Sequence, residues 1–230
     1  MAEAQLSWRP LLAEVIGTFT LIFAGAGAII TNQMTHGGVG LLGIALAHGL
    51  AIAVMVSALG MISGGHFNPA VTCGFLVAGR IPAIRAAAYA LAQLAGATLG
   101  GLALWVAYPH GPAVAVSLGT PSLAPDLSTT AGILLEAIGT FFLVTVIFGT
   151  AVHPGAPRIG GLAIGLTITM DILAFGPLTG AAMNPARAFG PALVAGVWSN
   201  QLIYWIGPLI GGALAGGLYG GAYLPGAGSR

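Results

Sequence analysis

The chain has 230 residues (22.8 kDa), of which 57% are hydrophobic and only 5% charged, with six Arg, five acidic residues and no Lys. Soluble domains carry about 25% charged residues, so this composition, with a mean hydropathy of +0.97, excludes a soluble protein and indicates an integral membrane protein. A net charge of +1 without a basic cluster excludes a nucleic-acid-binding surface, and the single cysteine excludes an intrachain disulfide framework or a cysteine zinc site.

The apolar residues form six stretches long enough to cross a membrane and two shorter ones. A crossing helix needs about 20 apolar residues. The shorter stretches, 68–79 and 184–197, cannot cross, and such helices at membrane depth must be surrounded by protein or a water-filled cavity. The sequence therefore predicts an all-α membrane protein with six transmembrane helices and two re-entrant half-helices. The six predicted spans are 11–31, 40–60, 82–107, 131–152, 159–178 and 201–224.

The arginines orient the predicted spans. Five of the six fall on one side of the membrane if the chain crosses six times, and the positive-inside rule assigns that side, with both termini, to the cytoplasm. The sixth, Arg187, lies in the second short stretch, where a charge is costly and usually functional. The compact tails and the absence of a targeting segment favour a prokaryotic plasma membrane. The five orienting residues are Arg9, Arg80, Arg85, Arg158 and Arg230.

The second half of the sequence repeats the first. Segment 63–70 matches segment 179–186 at a separation of 116 residues, and Glu14 and Glu136 begin a second pair of matching segments. Each half contains three predicted spans, and an odd number of spans gives the halves opposite orientations in the membrane. We therefore predict a single transmembrane channel domain over residues 1–230, built from inverted repeats at about 10–107 and 130–225.

Glycine is unusually abundant, with 38 residues. Many glycines are spaced four apart within the predicted spans, which puts them on one helix face and lets two helix backbones approach closely. We predict that these pairs are helix crossing points. They are Gly96/Gly100, Gly161/Gly165, Gly207/Gly211 and Gly212/Gly216.

Each repeat contains one Asn-Pro-Ala sequence, which is a helix start. Asn is a favoured N-cap, and Pro fits the first helical position because its missing N–H costs nothing there. In oppositely oriented repeats the two half-helices meet with their N-termini at the midplane, each carrying about half a positive charge. Together with the Asn amide donors, this site would orient a neutral molecule, repel cations and interrupt proton hopping. The two copies are Asn68-Pro69-Ala70 and Asn184-Pro185-Ala186.

With two Asn-Pro-Ala copies in matching context, the chain resembles the aquaporin (major intrinsic protein) family over about residues 10–225. The resemblance implies one pore per subunit, normally in a homotetramer surrounded by lipid, with water and small neutral solutes as its partners. It implies no cofactor, and the sequence suggests no metal site. An enzyme is disfavoured because the sequence contains neither G-x-S-x-G nor H-E-x-x-H and no Cys/His pairing.

The resemblance also identifies the residues of a selectivity filter, by their spacing from the two asparagines. Arg187 matches the arginine of the family's aromatic/arginine filter, and His48, Ile172 and Ala181 match the other positions. Water-selective relatives typically have Phe, His and a small residue at these three positions, and glycerol facilitators have Trp, Gly and Phe. This chain departs from both and is similar to tonoplast intrinsic proteins and ammonia-conducting relatives. His110, in the connection 108–130, is either a fifth filter residue or a solvated loop histidine.

A filter with His in place of the larger Phe ring on the second span, beside Ile172 and Ala181, should be wider than a water-only filter. We therefore predict passive conduction of water and a small polar neutral solute, with ammonia as the first choice. The alternatives are a strict water channel or a glycerol/urea facilitator. An ion-coupled transporter is a further alternative, because such carriers also have inverted repeats, but the half-helix ends offer amides rather than a carboxylate cluster.

Four further polar residues are predicted within the membrane. Glu14 and Glu136 occupy equivalent positions, and each can accept N–H groups from the irregular backbone before a half-helix. Asp171 is expected to be a buried polar support for the filter segment. His66 is either a pore-lining residue on the cytoplasmic side or a packing residue.

Overall fold

The computed structural model describes residues 7–224; Arg230 and the predicted limits of the domain at 1, 225 and 230 lie outside this range. Within it the chain forms nine α-helices and no β-strand. The helices are α1 (Trp8–Met34), α2 (Gly40–Ser63), α3 (Pro69–Val77), α4 (Ala83–Ala107), α5 (His110–Ala115), α6 (Thr129–Ile147), α7 (Gly160–Thr179), α8 (Pro185–Ala195) and α9 (Ile203–Leu218).

Six of the helices correspond to the predicted spans. In the described range, α1, α2, α4, α7 and α6 with the π-turn that follows it are long and apolar enough to cross a membrane. Helix α9 has 16 residues, and the π-turn Tyr219–Tyr223 continues it almost to the predicted end at 224. Helices α3 and α8, with 9 and 11 residues, are the two half-helices. The described residues thus contain the predicted six crossing helices and two half-helices.

The helices pack in equivalent pairs. Helix α1 contacts α2 and α4, and α6 contacts α7 and α9 in the same way. The half-helix α3 packs on α9 and the half-helix α8 on α4, so each half-helix lies against the last crossing helix of the other half. Helices α2 and α7 join the halves at the centre. This pattern of contacts is the one expected when two three-span halves face each other across a pseudo-two-fold axis.

Glycines stand where these helices cross, as the four-residue spacing predicts. At the α2–α7 crossing, a Cβ added to Gly49 or to Gly165 would overlap the backbone carbonyl of the other residue. Along α9, Gly212 and Gly216 face the carbonyls of Ala70 and Gly74 on the half-helix α3 with equally little space. The backbones can therefore approach only because no side chain intervenes, and the crossings fix where the half-helices lie.

Substituting Gly165 by Val is expected to destabilise the protein by about 3 kcal/mol, because the added side chain collides with backbone rather than with a movable side chain. Thermal unfolding of the purified protein in detergent measures the effect as a lower midpoint. Gly217→Val is the matched control, since a Cβ there meets one atom at 3.7 Å, which is ordinary van der Waals contact. Equal midpoints for the two variants would contradict the crossing-point interpretation.

Candidate functional site

The two half-helices start beside each other at the centre of the protein. Asn68 caps α3 and Asn184 caps α8, and in each case a proline follows at the first helical position. The Oδ1 atom of each asparagine accepts the backbone N–H of the alanine two residues later, at 2.8 Å in α3 and 3.0 Å in α8. These are the N-caps that the Asn-Pro-Ala sequences predict.

A reciprocal pair of hydrogen bonds joins the half-helices. Asn68 Nδ2 donates to the carbonyl of Met183 at 2.8 Å, and Asn184 Nδ2 donates to the carbonyl of Phe67 at 2.9 Å. These bonds were not predicted from the sequence. Since an amide nitrogen carries two hydrogens, one per asparagine is left for the cavity that both residues line.

Three cavities follow one another through the protein. The central cavity contains the two asparagines in its wall. A second cavity, bordered by the connection between α5 and α6, shares His48, Ile172 and Arg187 with it. A third cavity, on the opposite side, shares His66 and four other residues with it. The shared walls define one path through the protein; its junction at Arg187 is called the outer junction and its junction at His66 the inner junction.

The outer junction contains the predicted filter residues. His48 comes from α2, Ile172 from α7, Arg187 from α8 and Ala181 from the segment before α8; all four are at most 3% exposed and line the central cavity. The structure thus brings His48 of the first half together with three residues of the second half. The junction combines one cation and one imidazole with two apolar side chains.

Hydrogen bonds orient the two polar side chains of this junction. The Nδ1 atom of His48 lies 2.9 Å from the carbonyl of Ile44, which can only accept, so Nδ1 carries the hydrogen. The Nε2 atom then presents a lone pair to Nη2 of Arg187, 3.4 Å away. Arg187 Nη1 donates to the carbonyl of Gly119 at 2.8 Å. The guanidinium is therefore held from two sides, in a fixed position beside the path.

His110 does not belong to this group. It is an exposed residue at the start of α5, where its ring stacks on Trp105 with 4.4 Å between ring centroids. The connection between α5 and α6 instead reaches Arg187 through Gly119, at the end of three residues with positive φ. Leu118 anchors this turn in the core with 0% exposure. Of the two alternatives for His110, the structure shows the exposed one, and the contact from this connection to Arg187 is a backbone carbonyl, which has no side-chain signal in the sequence.

Glu14 and Glu136 bind the backbone that precedes the half-helices. Glu136 accepts the N–H groups of Ala182 (2.9 Å) and Met183 (2.6 Å) and the hydroxyl of Thr179 (2.7 Å). Met183 has φ +50°, and no helix or sheet satisfies its N–H. A fully buried carboxyl therefore does so, as the sequence predicts for a group that lipid cannot satisfy.

The first repeat uses the same arrangement with one addition. Glu14 accepts the N–H groups of His66 (3.0 Å) and Phe67 (2.6 Å) and the hydroxyl of Ser63 (2.6 Å). It also accepts the amide of Gln93 from α4 at 2.7 Å. The two carboxyls thus hold the segments whose carbonyls bind the asparagines.

The two remaining predicted residues differ in how they are bound. His66 lines the central and the inner cavity, with Nδ1 3.0 Å from the hydroxyl of Thr72. Asp171 is buried, but its Oδ2 makes no hydrogen bond to any residue between 7 and 224, so the expected polar support is not made through this atom. The same residues contain no group of three or more His, Cys, Asp or Glu that could hold a metal ion.

Comparison with known proteins gives consistent similarities. The sequence profile of the family "Major intrinsic protein" matches residues 1–219. The chain is 48% identical to Aquaporin TIP4-4 of Zea mays over 94% of its own length and 87% of that protein, and 46% identical to Probable aquaporin TIP3-2 of Arabidopsis thaliana over 95% and 85%. The X-ray structure of the aquaglyceroporin from Plasmodium falciparum superposes with a TM-score of 0.82 at 26% identity, covering 94% of this chain and 96% of that one.

Proposed function

The chain belongs to the major intrinsic protein family, and from that membership we propose that it forms a passive channel for water and ammonia that excludes ions. Members of this family are channels rather than enzymes, and the relatives named above are aquaporins, which supports water conduction. Ammonia conduction and ion exclusion are inferences from the geometry of the path.

The outer junction supports ammonia as the second permeant. Ile172 and Ala181 add apolar surface to the wall that also carries the donors of Arg187, and the His48 ring is smaller than the Phe or Trp ring of other relatives at the second-span position. Ammonia is as small as water, and its lone pair can accept a hydrogen bond from the guanidinium. Because ammonia is more weakly hydrated than water, an apolar wall costs it less on entry than it costs water. A junction of this composition therefore discriminates less against ammonia, relative to water, than a fully polar junction does.

Ion exclusion is supported by the positive potential along the path. Two half-helix N-termini, each carrying about half a positive charge, meet at the asparagines. Arg187 adds a full charge at the outer junction, and each asparagine offers the permeant a donor rather than an acceptor. Cations are repelled at both levels, whereas a neutral molecule with a lone pair is accepted.

The proposal also covers the oligomeric state and the host membrane. The protein is an integral membrane protein, and its crossing helices expose large apolar side chains that suit lipid or neighbouring subunits. We propose a homotetramer, as the family resemblance implies. The named relatives are plant proteins, and the prokaryotic plasma membrane that the sequence favours stays a prediction.

The double variant His48→Phe/Ile172→His tests the permeants. We expect the ammonia permeability of reconstituted vesicles to fall by about tenfold, while the water permeability stays within about twofold of wild type. The larger ring of Phe narrows the junction, and the imidazole that replaces Ile172 removes its apolar wall. Stopped-flow light scattering measures water, and an internal pH dye measures ammonia. Glycerol is measured beside them to detect a facilitator.

His110→Phe is the matched control, since it changes a histidine to phenylalanine outside the junction. It should leave the ammonia-to-water ratio unchanged. Equal loss of both permeabilities in the double variant would contradict the proposal, as would wild-type vesicles whose ammonia flux equals that of protein-free vesicles.

A further inference from the structure

A series of neighbouring aromatic rings connects the C-terminal π-turn to the conduction path. Ring centroids are 5.1 Å apart between Tyr223 and Tyr219, 5.5 Å between Tyr219 and Phe148, 4.8 Å between Phe148 and Phe75, and 4.2 Å between Phe75 and His66. Contacts at these distances are attractive and orient the rings. Tyr223 is 55% exposed, whereas Phe148 is completely buried. The series thus runs from the protein surface through the core to the path.

Its inner end lies at the inner junction of the path. His66 lines both the central and the inner cavity, and Phe75 lines the inner cavity. Phe148 begins the π-turn Phe148–Val152, whose last two residues also line the inner cavity. Such π-turns occur frequently at functional sites. The series therefore reaches the wall of the path twice, through the rings of His66 and Phe75 and through the π-turn that begins at Phe148.

Equivalent positions in the two repeats show which part of this series serves helix packing. The Tyr219 hydroxyl lies against Gly149, and at the equivalent positions of the other half the Tyr108 hydroxyl lies against Gly27. Both repeats thus place a tyrosine hydroxyl against a glycine, and we assign this contact to helix packing.

Beyond that tyrosine the equivalent positions differ. Ala26, Pro191 and Ala182 stand at the positions equivalent to Phe148, Phe75 and His66. Among residues 7–224, a ring-to-ring connection to the path therefore continues from Tyr219 and not from Tyr108.

We propose that Tyr219 is a positioning residue for the inner junction, acting through Phe148 and Phe75 on the ring of His66. That ring is held by its hydrogen bond with Thr72 and by the face of Phe75. Without the Tyr219 ring, Phe148 borders a void and moves towards it, and Phe75 follows. His66 then loses its contact with the Phe75 ring and gains the freedom to turn into the path. This inference rests on water conduction and not on ammonia conduction.

Tyr219→Ala should lower the water permeability per reconstituted protein by about threefold, the size expected for the loss of one aromatic pair. Tyr219→Phe keeps the ring and should conduct like wild type. Tyr108→Ala is the matched control, because it removes the equivalent tyrosine–glycine contact, from which the described residues continue no ring series to the path. Its permeability should equal that of wild type. Where Tyr219→Ala does not purify as folded protein, Tyr219→Leu replaces it with the same expected loss.

A double-substitution cycle separates positioning from general loosening of the fold. In a His66→Ala background, Tyr219→Ala should cause no further loss of water permeability, because the ring on which it acts is gone. A threefold loss in that background would overturn the proposal, as would wild-type permeability of Tyr219→Ala and Tyr219→Leu, or a loss in Tyr219→Phe or Tyr108→Ala. Every measurement in this test is of water permeability. A wild type without ammonia flux would refute the proposed ammonia conduction, but it would not affect the test of Tyr219.

Discussion

Glu136→Leu is expected to prevent recovery of folded protein rather than to change what the protein conducts. The substitution leaves two backbone N–H groups and the Thr179 hydroxyl without an acceptor at a completely buried position. Each unsatisfied buried group costs about 1–3 kcal/mol. The total, about 3–9 kcal/mol, is comparable to the whole stability of a typical domain, about 5–15 kcal/mol.

The yield of monodisperse protein after detergent extraction, with its thermal unfolding midpoint, measures this effect. Asp126→Leu is the matched control, because Asp126 is an exposed acidic residue in the connection before α6. It should give wild-type yield and midpoint. Glu136→Gln should fall between them, since its side chain retains only one acceptor oxygen for the three donors. Normal assembly of Glu136→Leu with altered permeability would show that Glu136 acts on conduction and not on the fold.

The starts of the half-helices were predictable because their signals are local. Asn68 and Asn184 are each followed by Pro, and this pair of residues specifies a cap and a first helical position with little help from the rest of the chain. The apolar lengths and the glycine spacing gave the crossing helices and their contact points for the same reason. The opposite orientation of the two halves followed from the internal repeat, because no single segment carries that information.

The parts that were missed depend on groups from distant segments. The asparagine bonds reach the carbonyls of Phe67 and Met183, whose positions are set by positive φ angles and by Glu14 and Glu136 rather than by their own side chains. Gly119 reaches Arg187 through a backbone carbonyl that any residue type could offer. Neither contact has a residue-type signal, so only the folded chain reveals them. The choice between the two alternatives for His110 could not be made from the sequence for the same reason.

Arg187→Leu is expected to raise the proton and sodium permeability of reconstituted vesicles by about tenfold to a hundredfold. A cation that passes about 4 Å from a guanidinium is repelled by about 4 kcal/mol at an effective dielectric constant of 20, which corresponds to a factor of about 10³ in rate. The half-helix ends keep their partial charges in the variant. Part of the electrostatic barrier to cations therefore persists, and the increase in ion permeability stays below the factor of about 10³.

A dye-based proton flux assay and a sodium-driven shrinkage assay measure the change, with water permeability recorded on the same vesicles. Arg158→Leu is the matched control, because it removes the same charge from an exposed position outside the path. It should leave the vesicles as ion-tight as wild type. In Arg187→Leu, water can replace the lost donors to Gly119 and His48, so water permeability should not fall. Ion-tight vesicles with this variant would mean that the half-helix ends exclude ions without Arg187, and that the arginine only orients the permeant.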